Sequence, residues 1–259
     1  MRIAPICEAA RQREIEARDN HMPIHPISSL DLPYGQRNAS RMKTAVGILC
    51  VLVITLIIFS GCKTASPGKA AAIELFNGTN FDGWTFCMKN NADPMNTWSV
   101  TNGVIHCTGQ PYGYARTTQS YHDYTLTVIW RFVKVAPHAD NSGIFVHIQP
   151  PDAVWSKCVE CQGQYQHQGD FILHAGVGAD GHPAGDKSIS IRQFGPPNEN
   201  PVGEWGTNQI VCTGNGIVLF VNSKAMNQIT GCTLKSGYIG IQSEGGEIEV
   251  KKMTLQPLE

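Results

Sequence analysis

Between residues 73 and 259 apolar residues recur at every second position, in short runs broken by glycine, asparagine and proline. Such alternation places successive side chains on opposite faces of a strand. YTLTVIWRFV (124–133) predicts a long strand, with Leu126, Val128, Trp130 and Phe132 on one face and Thr127, Ile129 and Arg131 on the other. In 142–149, Ile144, Val146 and Ile148 oppose Phe145, His147 and Gln149. In 157–164, Val159 and Cys161 oppose Cys158, Glu160, Gln162 and Gln164, and in 238–244 Ile239 and Ile241 oppose Tyr238, Gln242 and Glu244. DFILHA (170–175) and KSISIRQF (187–194) predict further strands. WSVTNGVIHC (98–107) predicts a hairpin about Asn102-Gly103, a pair suited to the positive φ angles of a type I′ turn. Residues 208–222 predict another about Gly214-Asn215-Gly216, and 238–258 predict two closing strands. No stretch carries the period of an amphipathic helix. About a dozen short strands predict an all-β domain, an antiparallel two-sheet sandwich or a barrel.

Several of these strands pair an apolar face with one bearing amides, carboxylates and cations. Gathered on one curved sheet, those polar faces form a groove suited to carbohydrate. Sugar hydroxyls pair with Asn, Gln, Asp, Glu and Arg, while sugar C–H faces stack on aromatic rings. Trp84 and Trp205 are expected to pack in the core or at a sheet edge rather than to serve as such platforms.

The N-terminus follows a different pattern. Met42-Lys43 opens a mostly apolar run to Phe59, short for a membrane span, and Phe59-Ser60-Gly61-Cys62 has the form of a bacterial lipobox. Residues 42–61 are therefore read as a lipoprotein signal peptide, Cys62 as the acylated residue, 62–72 as a tether and 73–259 as the domain. Residues 1–41 are polar and proline-containing, either a disordered tail or a start upstream of the true one at Met42. The expected product is exported and held to a membrane only by lipid. A net charge of -1 over 259 residues gives no basic surface for nucleic acid.

Beyond Cys62 lie Cys87, Cys107, Cys158, Cys161, Cys212 and Cys232. Export permits disulfides, and buried free thiols are an equal expectation. If 157–164 is a strand, Cys158 and Cys161 point to opposite faces and share neither an ion nor a bridge. Glu160-x-Gln162 is then the pair presented on the polar face. No cofactor is implied. Asp, Glu and His on adjacent strands could hold a divalent cation, but no spacing specifies a metal site.

Five motifs in order, ELFNGTNFDGW (74–84), NSGIF (141–145), KCVECQ (157–162) before GDF (169–171), PVGEW (201–205) and GYIGIQSEGGEIEV (237–250), resemble the 3-keto-disaccharide hydrolase (DUF1080) family. The resemblance implies a concanavalin A-like jelly-roll sandwich and a hydrolase acting on glycosides oxidised at C3. There a base removes the C2 proton, the C1 group leaves by elimination and water adds. Carried over by motif, Glu160 and Glu244 are the acid/base candidates. Arg131, His147, Gln162, Asp170, Gln242 and Asn141 are the candidates for holding substrate or stabilising the enolate. The chain departs from the family in having Ile129 two residues before Arg131 and Gly206 after Gly-Glu-Trp. The same scaffold without catalysis would be a carbohydrate-binding lipoprotein, and a conventional two-carboxylate glycosidase is the third reading. The catalytic readings require Glu160 and Glu244 to lie near each other on one concave surface.

Overall fold

A computed structural model describes residues 70–134 and 141–258. The expected signal peptide, Cys62 and most of the tether lie outside the described residues. Within them the chain forms fifteen strands: β1 (Ile73–Glu74), β2 (Trp84–Met88), β3 (Trp98–Thr101), β4 (Val104–Cys107), β5 (Gly113–Thr117), β6 (Tyr124–Phe132), β7 (Gly143–Ile148), β8 (Val159–Gln162), β9 (Phe171–Leu173), β10 (Ile189–Ile191), β11 (Gly206–Thr213), β12 (Gly216–Val221), β13 (Lys224–Ile229), β14 (Tyr238–Ser243) and β15 (Ile248–Pro257). They pair antiparallel into two sheets. The first runs β13-β12-β11-β6-β15-β4-β3, with β1 on β15; the second runs β10-β9-β8-β7-β14-β5-β2. This is the expected two-sheet antiparallel jelly-roll sandwich.

The alternating positions make the core. Leu126, Val128, Trp130 and Phe132 from the first sheet share one buried cluster with Ile144, Val159, Cys161, Phe171, Ile239 and Ile241 from the second. The Asn102-Gly103 turn has φ of 53° and 77°, the left-handed pair expected of it. Cys158 lies on the opposite side of its sheet from Cys161, packed with Tyr114, Phe145 and Ile148. All six described cysteines are free thiols.

Two expectations fail for physical reasons. Alternation in β7 breaks near its end. The β14–β7 register shifts between Tyr238 and Gly240, and His147 takes a φ of 57°. An irregularity of this kind inverts the faces beyond it. Ile148 therefore joins Phe145, and the His147 ring packs edge-on against Tyr124 at 6.1 Å with 1% exposure. Burial pushes the His147 imidazole down to about 4, so it is neutral and away from the polar groove. Arg131 does face away from the core, but on the first sheet. Its Nε donates to Glu249 Oε2 at 2.8 Å, its Nη1 to the Gly203 carbonyl at 2.8 Å, and its guanidinium lies 4.4 Å from the Trp205 ring centre. Glu249 is the cross-strand neighbour of Arg131 on β15, a carboxylate partner supplied from β15 rather than at position 129.

Candidate active site

The outward face of the second sheet carries the polar residues of β8, β9 and β14. Glu160 stands opposite Phe145 on β7 and Ile172 on β9. It is 2% exposed, an extreme burial for a carboxylate. Its Oε2 lies 2.6 Å from His174 Nε2, and His174 Nδ1 lies 3.1 Å from Ser188 Oγ. His174 thus spans the Glu160 carboxylate and the Ser188 hydroxyl with its two ring nitrogens. Glu160 Oε1 is buried with no hydrogen-bond partner among the described residues. It lies over Gly143, where a Cβ would come within 2.5 Å of it. A glycine on β7 thus leaves the room in which this oxygen sits.

Glu244 follows β14, one strand beyond β7. Its Oε2 accepts from Asn141 Nδ2 at 2.6 Å, and Asn141 Oδ1 in turn accepts from the Ser142 backbone N–H. Burial first, and then the negative charge of Glu160, raise the Glu244 carboxyl to about 7, against smaller opposing effects of Gln242, His174 and Asn141. The two carboxylates are thus close enough to feel each other on one surface. Gln242 faces the same way on β14, 2% exposed, near enough to Glu244 to favour its ionised form but with neither amide atom in a well-formed hydrogen bond among the described residues. Ser142 Oγ donates to the Gln242 backbone carbonyl at 2.9 Å and ties β7 to β14 at this level. Among the described residues, Glu160 Oε1 and both amide atoms of Gln242 are therefore buried polar atoms without a close hydrogen-bond partner. Leaving such atoms unpaired costs about 1–3 kcal/mol each, which marks these side chains as candidate functional groups.

Gln162 and Asp170 flank this centre. Gln162 Oε1 accepts from the Gln164 backbone N–H at 2.9 Å. Asp170 is 1% exposed and fully engaged: Oδ2 accepts from Arg192 Nη1 at 2.7 Å and Oδ1 from the Gln193 backbone N–H at 2.9 Å. It anchors Arg192, whose side chain is 70% exposed at the groove edge. Arg192 and His174 were not among the residues selected from sequence. The alternation of DFILHA that singles out Asp170 also puts His174 on the same face, and KSISIRQF likewise groups Ser188, Ser190 and Arg192.

On the other flank, Tyr114 and Arg116 of β5 meet the connection between β7 and β8. Arg116 binds Asp152 through Nε at 2.8 Å and Nη2 at 2.7 Å, and its guanidinium lies 4.0 Å from the Tyr238 ring centre. Tyr114 Oη donates to Asp152 Oδ1 at 2.9 Å and lies 2.8 Å from Ser156 Oγ. Among the described residues, no three His, Cys, Asp or Glu side chains cluster so as to hold a metal ion.

The arrangement offers a buried carboxylate with one oxygen not bonded among the described residues, a second carboxyl that carries its proton up to neutral pH, and the Gln242 amide on the same face. That suits proton abstraction at one atom and proton donation at a neighbouring one.

Comparison with solved structures gives the same architecture. Two structures of proposed glycosyl hydrolases from Parabacteroides distasonis align with 73% of this chain, at 18% and 16% identity, over 94% and 100% of their own chains, with TM-scores of 0.54 and 0.52. A β-glucanase from Bacillus licheniformis aligns over 75% of this chain and 100% of its own, at 15% identity and a TM-score of 0.51. These likenesses establish a concanavalin A-like fold. No curated protein matches the sequence. The model of the 3-keto-alpha-glucoside-1,2-lyase-like domain, a glycoside-hydrolase-like family, matches residues 71–256, and the chain belongs to that family.

Proposed function

We propose that the protein cleaves 3-keto-glycosides between C1 and the glycosidic oxygen by elimination. The observation that carries this is Glu160 Oε1, buried without a hydrogen-bond partner among the described residues on the same sheet face as the Gln242 amide and a carboxyl raised to about 7. A ketone at C3 acidifies the C2–H. Glu160 Oε1 removes that proton, and the C–H electron pair moves toward C3 to give an enolate. Gln242 Nε2–H donates to the developing negative oxygen. The enolate collapses, a C1=C2 double bond forms and the C1–O bond breaks. Glu244 protonates the departing oxygen. Addition of water across the new double bond completes hydrolysis. His174 holds the other oxygen of Glu160, so the reactive oxygen keeps its position through the step. Gln162 and Arg192 border the groove where ring hydroxyls need partners. Given the signal-like run ending at Cys62, the reaction is assigned to an exported, lipid-anchored protein.

Supplying the protein with a glucoside and its 3-keto derivative tests the reading. Turnover of the keto form alone is expected. Binding of either sugar without turnover would make the protein a carbohydrate-binding domain, and turnover of the unoxidised glucoside would make it a conventional glycosidase.

A pH dependence follows from Glu244. Ionisation above about 7 removes the acid form in the free protein, so kcat/KM for a substrate with an alkoxide leaving group should fall about tenfold per pH unit on the alkaline side. Glu244→Gln should abolish that limb. It should slow poor leaving groups most and nitrophenolate least, because nitrophenolate departs without a proton. Equilibrium unfolding gives an independent check. The folded chain holds this proton more tightly than the unfolded chain, so stability should decline as pH rises from 4.5 to about 7. The glutamine variant should lose that decline.

A further inference from the structure

Trp155 is 46% exposed, yet it is not loosely held. It lies in the connection between β7 and β8. Asp152 binds both Tyr114 and Arg116, and Ser156 Oγ accepts from the Ala153 backbone N–H at 3.0 Å. Ser156 itself is 1% exposed. These anchors fix the segment on both sides of Trp155. The indole is stacked on the His174 ring, with centroids 6.0 Å apart and planes 27° apart. His174 is in turn bonded to Glu160. A rigid, exposed indole one side chain from the proposed base has the form of a sugar-stacking platform.

Its place across the sheet gives the orientation. The second sheet runs β9-β8-β7-β14. His174 follows β9, Glu160 is on β8, and Glu244 follows β14. Strand spacing puts β9 and β14 roughly 14 Å apart, with Glu160 between them. Trp155 and Glu244 therefore lie on opposite sides of the proposed base. If Glu160 takes the C2 proton and Glu244 protonates the leaving oxygen on C1, the leaving group extends toward β14. The body of the oxidised ring then lies on the β9 side.

We infer that Trp155 is the platform on which the oxidised sugar ring itself stacks, with the leaving group on the far side of Glu160. The inference rests on the elimination reading for which end of the substrate lies where. It assigns to Trp155 recognition of the ring common to all substrates, and leaves the leaving group unread by that residue.

The test combines binding of free 3-keto-glucose with turnover of its methyl, nitrophenyl and glucosyl glycosides, using the full chain and its Trp155→Ala, Trp155→Leu and Trp155→Phe variants. Alanine should weaken 3-keto-glucose binding about tenfold or more. It should raise KM for all three glycosides by a similar factor while leaving kcat within about threefold, as loss of uniform binding does. Leucine, which keeps apolar bulk but has no ring face, should behave like alanine and guards against a fold that alanine disturbs. Phenylalanine should recover most of the affinity. A defect confined to the nitrophenyl and glucosyl substrates would put the platform under the leaving group and overturn the inference. So would unchanged binding, or a fall in kcat at constant KM, which would mean that Trp155 only positions His174. If the wild-type protein turns over no 3-keto-glycoside, the elimination reading fails by itself. Ring-dependent binding of 3-keto-glucose would then still support the platform, and its absence in the wild type would overturn it.

Discussion

Replacing Glu160 by glutamine is expected to lower turnover of 3-keto-glycosides by about 10²–10⁴-fold, the range for loss of a positioned general base. Glutamine has the shape of glutamate and can still accept from His174 through its amide oxygen, so the bond now 2.6 Å long has a counterpart in the variant. What disappears is the ability of the second oxygen to take a proton. The substitution also removes a negative charge from a site that is 2% exposed. Thermal unfolding should stay near the wild-type midpoint, because the weakened pairing with His174 is set against the lost cost of burying a charge. Exchange of the substrate C2–H for deuterium should fall in parallel with turnover, since both depend on the same abstraction. Removing the Glu160 charge should also let the Glu244 carboxyl relax toward its ordinary value, moving any residual alkaline limb to lower pH. An unchanged rate in a folded variant would take Glu160 out of the mechanism.

The reason Glu160 could be found from sequence is that β8 follows a simple rule. Val-Glu-Cys-Gln alternates without interruption, Val159 and Cys161 enter the core, and Glu160 and Gln162 come out on the other side. The same rule separates Cys158 from Cys161. Burial pushes the thiols of both well up, so neither offers a ready thiolate. Alternation nevertheless reports only which face a side chain takes, not which sheet carries the strand. Arg131 and Glu160 both point away from the core, but β6 and β8 belong to opposite sheets, and pairing between strands distant in sequence decides that. His147 shows a second limit, because a single left-handed residue inverts the pattern beyond it. β5 shows a third. Gly-Tyr-Ala-Arg-Thr sends only Ala115 and Thr117 inward between the outward Tyr114 and Arg116. With so small an inward set the strand has no hydrophobic period to detect. Its two outward residues anchor Asp152 and hence the segment bearing Trp155. The proposed base was legible because a strand dictates its face. The aromatic beside it was not, because a loop placed by long-range hydrogen bonds presents it.

Gly143→Ala tests the geometry of the site from its other side. Gly143 carries no left-handed φ, so alanine meets no backbone strain and the whole effect is steric. A Cβ there would stand 2.5 Å from Glu160 Oε1, 2.9 Å from its Cγ and 3.0 Å from its Cδ. β7 is paired on both sides, to β8 and β14, so its backbone has little freedom to retreat. The carboxylate could swing aside, but Oε2 is held by His174, and the swing would break that bond. Either response displaces the oxygen proposed to take the C2 proton. A displacement near 1 Å costs on the order of 10²-fold in rate, and overpacking of this size costs about 1–3 kcal/mol of stability. KM should change less than kcat, since Gly143 itself has no side chain to bind substrate. Glu160→Asp withdraws the carboxylate by one methylene, so it should be slow alone and suffer little further when Gly143→Ala is added. Strong non-additivity between the two is the expected signature of one shared contact. Additive losses, or a folded Gly143→Ala variant with wild-type kcat, would show that the carboxylate does not act from above this glycine.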